Sequence, residues 1–205
     1  MLSLKTLKWG VFSLSTLPLL YMLVGFILDS LGANPVESLM HQSGQAALYF
    51  LMLTLMVSPC RKIFKLPVLI HLRRMLGLFS YVYACTHFSI YLVLEQWFDL
   101  GLILEDIQER PFITIGVINL ILLTPLAITS TDAMRARLQT SWLRLHKLIY
   151  LISILAIIHF WWSAKADLLM PFISASVLAF LLAYRFYSHL QMRKLWKITQ
   201  NTPVD

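Results

Sequence analysis

Six stretches of the chain, at 9–28, 38–60, 75–94, 111–131, 148–164 and 168–184, contain no Asp, Glu, Lys or Arg. A helix needs about 20 mostly apolar residues to cross the hydrocarbon core of a bilayer. The first four stretches meet that length. The last two, of 17 residues each, extend through flanking side chains that snorkel to the interface. With those flanks, membrane spans are expected at about 9–28, 41–60, 75–95, 111–131, 146–164 and 168–186. Of the 205 residues 59% are apolar and only 13% charged, with a mean hydropathy of +0.73. A soluble domain is about half apolar and about a quarter charged, so a water-soluble globule is excluded. Disorder is excluded as well, because few charges and many large apolar side chains are the opposite of its signature. Cys60 and Cys85 are the only cysteines, too few for a disulfide scaffold or a four-thiolate metal site. The fold expected is an all-α integral membrane bundle of six transmembrane helices, a single domain over 1–205.

The short loops carry the orientation, because Lys and Arg concentrate on the cytoplasmic side of membrane proteins. Lys5, Lys8, Arg61, Lys62, Lys65, Arg73, Arg74, Arg135, Arg137, Arg144, Lys147, Arg185, Arg193, Lys194 and Lys197 all fall on one side, which is 15 of the 17 basic residues. The other side has Arg110 and Lys165 with most of the acids, including Glu95, Asp99, Glu105, Asp106 and Glu109. Both termini are therefore expected in the cytoplasm. The net charge of +7 is a topology signal, and no nucleic-acid surface is implied. The first span follows Lys5 and Lys8 as a signal peptide would, but it is longer than a typical h-region and no clear small-x-small cleavage site follows it. It is read as a transmembrane helix. No internal repeat is visible, and the 21 residues after Tyr184 are too few for a nucleotide-binding domain.

His71 and His189 lie among basic residues, and His41 opens the second span, where an interfacial role is expected. His87 and His159 lie well inside apolar spans. An ionisable group there is costly and marks a functional site by default, the alternative being a neutral histidine hydrogen-bonded across the bundle. His87 is 12 residues beyond Met75 and His159 is 11 beyond Leu148, which is roughly 18 and 17 Å of helix. Spans three and five run the same way, so the two imidazoles reach one level in the outer half of the membrane. Two neutral imidazoles on facing helices can ligate a heme iron from both sides. Zinc would need further ligands, and only Cys85 is near.

His146 precedes His159 by 13 residues, suggesting a second site about 20 Å away along the axis, although 13 helical steps leave the two side chains roughly 140° apart. At the corresponding level of the third span stand Arg73 and Arg74. An arginine pair does not ligate iron, but it binds phosphate or propionate well. The inner level therefore reads as an anionic cofactor site or a single weaker ligation, with plain positive-inside anchoring as the alternative for the arginines. Gly77 is a candidate for close helix packing, and Cys85 for a small buried hydrophobe.

The motifs Arg73-Arg74-Met75-Leu76-Gly77-Leu78 leading to His87, Leu145-His146-Lys147-Leu148-Ile149-Tyr150 and Ile158-His159-Phe160-Trp161-Trp162 resemble those of the MsrQ (YedZ) family. That family consists of heme-binding membrane subunits within the ferric-reductase-like transmembrane superfamily. His41-Gln42-Ser43-Gly44-Gln45-Ala46-Ala47-Leu48 and Leu126-Ala127-Ile128-Thr129-Ser130-Thr131 are similar to its other landmarks, so the resemblance covers nearly the whole chain. It implies a bacterial inner-membrane electron carrier with b-type heme and FMN. Such a carrier takes electrons from the quinone pool and passes them to MsrP, a periplasmic molybdopterin methionine sulfoxide reductase. It implies heme ligation by His87, His146 and His159, with no catalytic residue of the chain's own. Wider superfamily members have two histidines on the third span, where this chain has only His87. Arg73, Arg74 and the cytoplasmic loops are the candidates for holding FMN.

Two other readings compete. A stand-alone ferric or quinone reductase would deliver electrons without a protein partner. A small transporter or proton channel would use His87 and His159 as relay groups and would be colourless.

Overall fold

The computed structural model describes residues 3–164 and 167–201, with side chains as far as Arg193. Lys165 and the side chains of Lys194 and Lys197, which entered the charge argument above, lie outside the described residues. Among the described residues there are eight α-helices and no strand. They are α1 (Leu4–Ile27), α2 (Pro35–Ile63), α3 (Arg73–Ile90), α4 (Leu100–Glu109), α5 (Pro111–Ile128), α6 (Asp132–Leu145), α7 (Leu148–Ser163) and α8 (Leu169–Asn201). A 3₁₀ segment, Pro67–Leu72, leads into α3, and a π-helical turn, Tyr91–Glu95, ends it.

α1, α2, the continuous stretch Pro67–Glu95, α5 and α8 are each long and apolar enough to cross a membrane. α6 and α7, bent by 51° where they meet, make a sixth candidate. The expected all-α membrane bundle is what the chain forms. Its short polar helices α4 and α6 escape a search for charge-free stretches because both carry several charged residues. Side chains such as Leu14, Ile27 and Phe180 are about two-thirds exposed, at 66%, 70% and 68%. Such a surface would be a liability in water, and here it is the lipid-facing one.

Local chemistry sets the helix ends. Ser3, Asn34, Asp99 and Thr131 cap α1, α2, α4 and α6 by accepting from backbone N–H groups of the first turn. Pro35 and Pro111 occupy first helical positions, where no N–H is needed. Inside α1, Pro18 disturbs the ladder, and the fully buried Tyr83 of α3 repairs it. Its hydroxyl donates to Ser15 O (2.6 Å) and accepts from Leu19 N (3.2 Å).

α2 packs chiefly on α3 and α5 chiefly on α7, while α8 closes against α7 and α2. One apolar cluster centres on Leu55, Ile152 and Leu181, the other on Leu39, Phe50, Phe79 and Tyr83. The α2–α3 contact is also polar, with Ser80 donating to Ala47 O at 2.9 Å. At Gly77 an added Cβ would meet Thr54 at an ordinary 3.7 Å, so this glycine is not what brings the helices together.

The end of the bundle that holds α4 is acidic, and there Asp106 forms a clasp. The buried carboxylate accepts from Tyr91 Oη (3.0 Å) and Gln96 Nε2 (2.6 Å), and Arg110 Nε lies 3.1 Å from its second oxygen. The wide π turn carries Tyr91 and Gln96 to this point, and so α4 is fastened to the end of α3.

Candidate cofactor site

His87 projects from α3 and His159 from α7, and the two rings face one another with centroids 6.1 Å apart and planes at 83°. Equal depth inferred from helix length is thus realised as direct juxtaposition. Each ring is tied from behind. His87 Nδ1 lies 2.9 Å from Met40 O and 3.3 Å from Ser43 Oγ, and His159 Nδ1 lies 2.6 Å from Phe112 O. A carbonyl can only accept, so each Nδ1 bears the proton and donates, which leaves Nε2 of both rings with a lone pair. Among the described residues neither Nε2 has a hydrogen-bond partner.

Two imidazoles 6.1 Å apart, each with a free Nε2, are a donor set for a metal held from two sides. Two bonds of about 2 Å, with about 1 Å from each nitrogen to its ring centre, span about 6 Å. The observed 6.1 Å fits one ion between the rings. Among the described residues there is no group of three or more His, Cys, Asp or Glu side chains able to hold a metal. The two imidazoles would therefore suit an iron whose other ligands come from a macrocycle. Among the described residues, Asn119 Oδ1 on α5 and Gln42 Oε1 on α2 are buried without a hydrogen-bond partner. Unpaired buried amide oxygens are rare in finished interiors and suit a polar group arriving with a cofactor.

His146 stands apart from this pair. It caps α6, stacks on Trp142 at 3.9 Å, and its Nε2 lies 3.1 Å from Thr129 Oγ1. The Thr129 hydroxyl already donates to Pro125 O at 2.6 Å, so it accepts from His146. The proton on Nε2 leaves the lone pair of His146 on Nδ1, so the two levels differ in another way: His87 and His159 lie ring to ring, whereas His146 stacks on Trp142 and has no second imidazole beside it among the described residues.

Arg73 and Arg74 are divided by the helix that carries them. Arg74 is exposed and pairs with Asp132 at 2.7 Å. Arg73 is half-buried and lies in the neighbourhood of Arg185 and Tyr150. Arg185, from α8, was not singled out by the sequence. Its Nη1 donates to Tyr150 Oη (2.9 Å), and its Nη2 donates to Leu55 O (2.7 Å) and Ser58 Oγ (3.3 Å). Its Nε is buried and unpaired, and among the described residues neither Arg73 nor Arg185 has a carboxylate within 4 Å. Two neighbouring guanidiniums without a counter-charge favour a bound anion. The only available signal was an arginine at the end of an apolar span, which positive-inside anchoring explains equally well. His41 is exposed beside Glu37 at 3.9 Å, in keeping with an interfacial role.

The chain matches the family model described as the ferric reductase like transmembrane component over residues 43–157. It is 42% identical over 193 residues to the protein-methionine-sulfoxide reductase heme-binding subunit MsrQ of Herminiimonas arsenicoxydans, covering 93% of this chain and 88% of that one. The protein of the same name from Azospira oryzae is 43% identical over 202 residues, covering 98% and 86%. That of Xanthomonas euvesicatoria pv. vesicatoria is 45% identical over 166 residues, covering 81% and 76%. No solved structure matches the chain.

Proposed function

The chain belongs to the MsrQ family and carries a ferric-reductase-like transmembrane component, and we propose that it is a b-type cytochrome of the bacterial inner membrane. It carries electrons from the quinone pool to a periplasmic molybdopterin methionine sulfoxide reductase, MsrP, and so supports repair of oxidised periplasmic proteins. The observation behind this reading is the facing pair His87 and His159, with Nδ1 tied to a carbonyl and Nε2 free on each. Heme held there supplies a one-electron carrier. The chain's own part is to ligate the iron, fix the ring tautomers and exclude water from the centre. It needs no catalytic residue of its own, because the substrate is reduced on the partner.

The same reading puts both termini and the basic end in the cytoplasm, and the acidic end with α4 in the periplasm, nearer the His87–His159 pair. FMN belongs at the basic end, where Arg73 and Arg185 provide for its phosphate, with His146 nearby.

The test is a reduced-minus-oxidised absorption spectrum of the detergent-purified protein with a pyridine hemochrome assay. A b-type spectrum at close to one heme per chain, followed by quinol-driven reduction that is reoxidised by MsrP, is the expected result. A colourless protein after expression with adequate heme supply overturns the reading and leaves a transporter. Reoxidation by soluble ferric iron but not by MsrP favours a stand-alone reductase.

A further inference from the structure

The two histidines are held by one device used twice. In α2 the carbonyl of Met40 accepts from the His87 ring, and four residues on, Gly44 lies against that ring. In α5 the carbonyl of Phe112 accepts from the His159 ring, and four residues on, Gly116 lies against it. Each donor follows its acceptor by 47 residues, and each histidine is followed by a phenylalanine, Phe88 and Phe160. The arrangement recurs 72 positions along the chain: Met40 to Phe112, Gly44 to Gly116, His87 to His159. The surrounding sequences add only scattered identities at that offset, such as Leu48 with Leu120 and Ala84 with Ala156, and the repeat becomes plain when the helices are paired, α2 with α3 and α5 with α7.

The glycines leave no spare room. A Cβ at Gly44 would come within 3.1 Å of His87 Cε1 and Nδ1. At Gly116 it would come within 2.9 Å of His159 Cε1 and 3.1 Å of Nδ1. The atoms approached belong to a rigid ring, which cannot fold away as a flexible side-chain end would. The other glycine between paired helices, Gly77, differs, since a Cβ there meets Thr54 at 3.7 Å.

We infer that Gly44 and Gly116 are positioning residues for the two imidazoles. Each lets its ring lie flush on the neighbouring helix, with Nδ1–H on the carbonyl one turn away and Nε2 turned to the centre. This rests on the reading of His87 and His159 as axial ligands. A histidine whose second nitrogen donates to a carbonyl is a more basic ligand and stabilises the oxidised metal. The two cradles therefore hold the reduction potential down as well as fixing the angle between the rings.

The test is an optical redox titration, with ferric electron paramagnetic resonance, of the full-length protein and its G44A, G116A and G77A variants. Loss of the flush fit lengthens the Nδ1–H bond, so G44A and G116A shift the midpoint to more positive potential and alter the ferric signal. The shift is larger for G116A, where the clash is closer, and G77A matches wild type. If G116A does not accumulate, G44A carries the test. Unchanged potential and signal in G44A and G116A overturn the inference, and so does an equal shift in G77A. A wild-type protein without a b-type spectrum instead overturns the ligand assignment on which the inference rests, which keeps the two failures distinct.

Discussion

The imidazole planes of His87 and His159 stand at 83° to one another. If both rings ligate one ferric heme at this angle, the iron d-orbitals that interact with them would be close in energy, which would spread the ferric g-values. The expected resonance is a low-spin signal with one very large g-value, and a rhombic signal of moderate spread would show that the rings rotate on binding. Removal of either ligand by H87A or H159A abolishes most of the bound heme, read as hemochrome per chain. Wild-type heme content in either variant sinks the pairing.

His146 stacks on Trp142 and has no second imidazole beside it among the described residues. H146A is accordingly expected to keep the b-type spectrum at wild-type stoichiometry. Complete loss of heme, equal to that of H87A, would show that His146 contributes to the same centre or to a second one.

Arg73 and Arg74 are neighbours in sequence with different surroundings, and they separate the two explanations for the arginine pair. A charge-assisted hydrogen bond contributes about 1.5–3 kcal/mol. On that scale R73Q and R185Q weaken flavin retention by roughly tenfold or more. R74Q, which removes a pair exposed on both sides, leaves retention unchanged. Flavin fluorescence after acid release measures all three, and equal loss from R74Q would refute the division.

Tyr83 replaced by Phe removes the hydroxyl shared by Leu19 N–H and Ser15 O inside the bundle beside Pro18. The expected cost is about 1–3 kcal/mol, seen as a lower thermal midpoint in detergent with heme content at 25 °C unchanged. An unaltered midpoint would mean that α1 closes its own break.

Asp106 replaced by Ala removes the acceptor shared by Tyr91, Gln96 and Arg110. Amide hydrogen exchange is expected to quicken over 96–110 and to stay at wild-type rates in α2 and α5. Protection retained over 96–110 would show that apolar contacts alone fix α4.

The bundle was largely legible because its signals are local. A charge-free run reports a span, and counting residues from each span's start put His87 and His159 at one depth. Such counting stops where a side chain's fate depends on a distant partner. Arg73 and Arg74 look alike on paper, but successive helical residues point about 100° apart, so one turns inward and the other reaches Asp132. Arg185 acquires meaning only when α8 brings it to Leu55 and Tyr150, 130 and 35 residues away. Gly44 and Gly116 read as unremarkable small residues until the rings that rest on them are seen. Helices α4 and α6 went unread for the opposite reason, since their polarity hides them from a search for apolar length.

The carbonyl bonds behind the two rings also bear on how the protein is kept. Met40 and His87 link α2 to α3, and Phe112 and His159 link α5 to α7, so a metal bound by both rings closes a single load path through four helices. Ligand binding then acts on assembly by mass action. A ligand at a thousand times its dissociation constant adds about 4 kcal/mol to the folded state, comparable to much of a small domain's net stability. The amount of this protein standing in the membrane should accordingly follow the cell's supply of heme, with shortage read out as turnover of the chain before any loss of reductase.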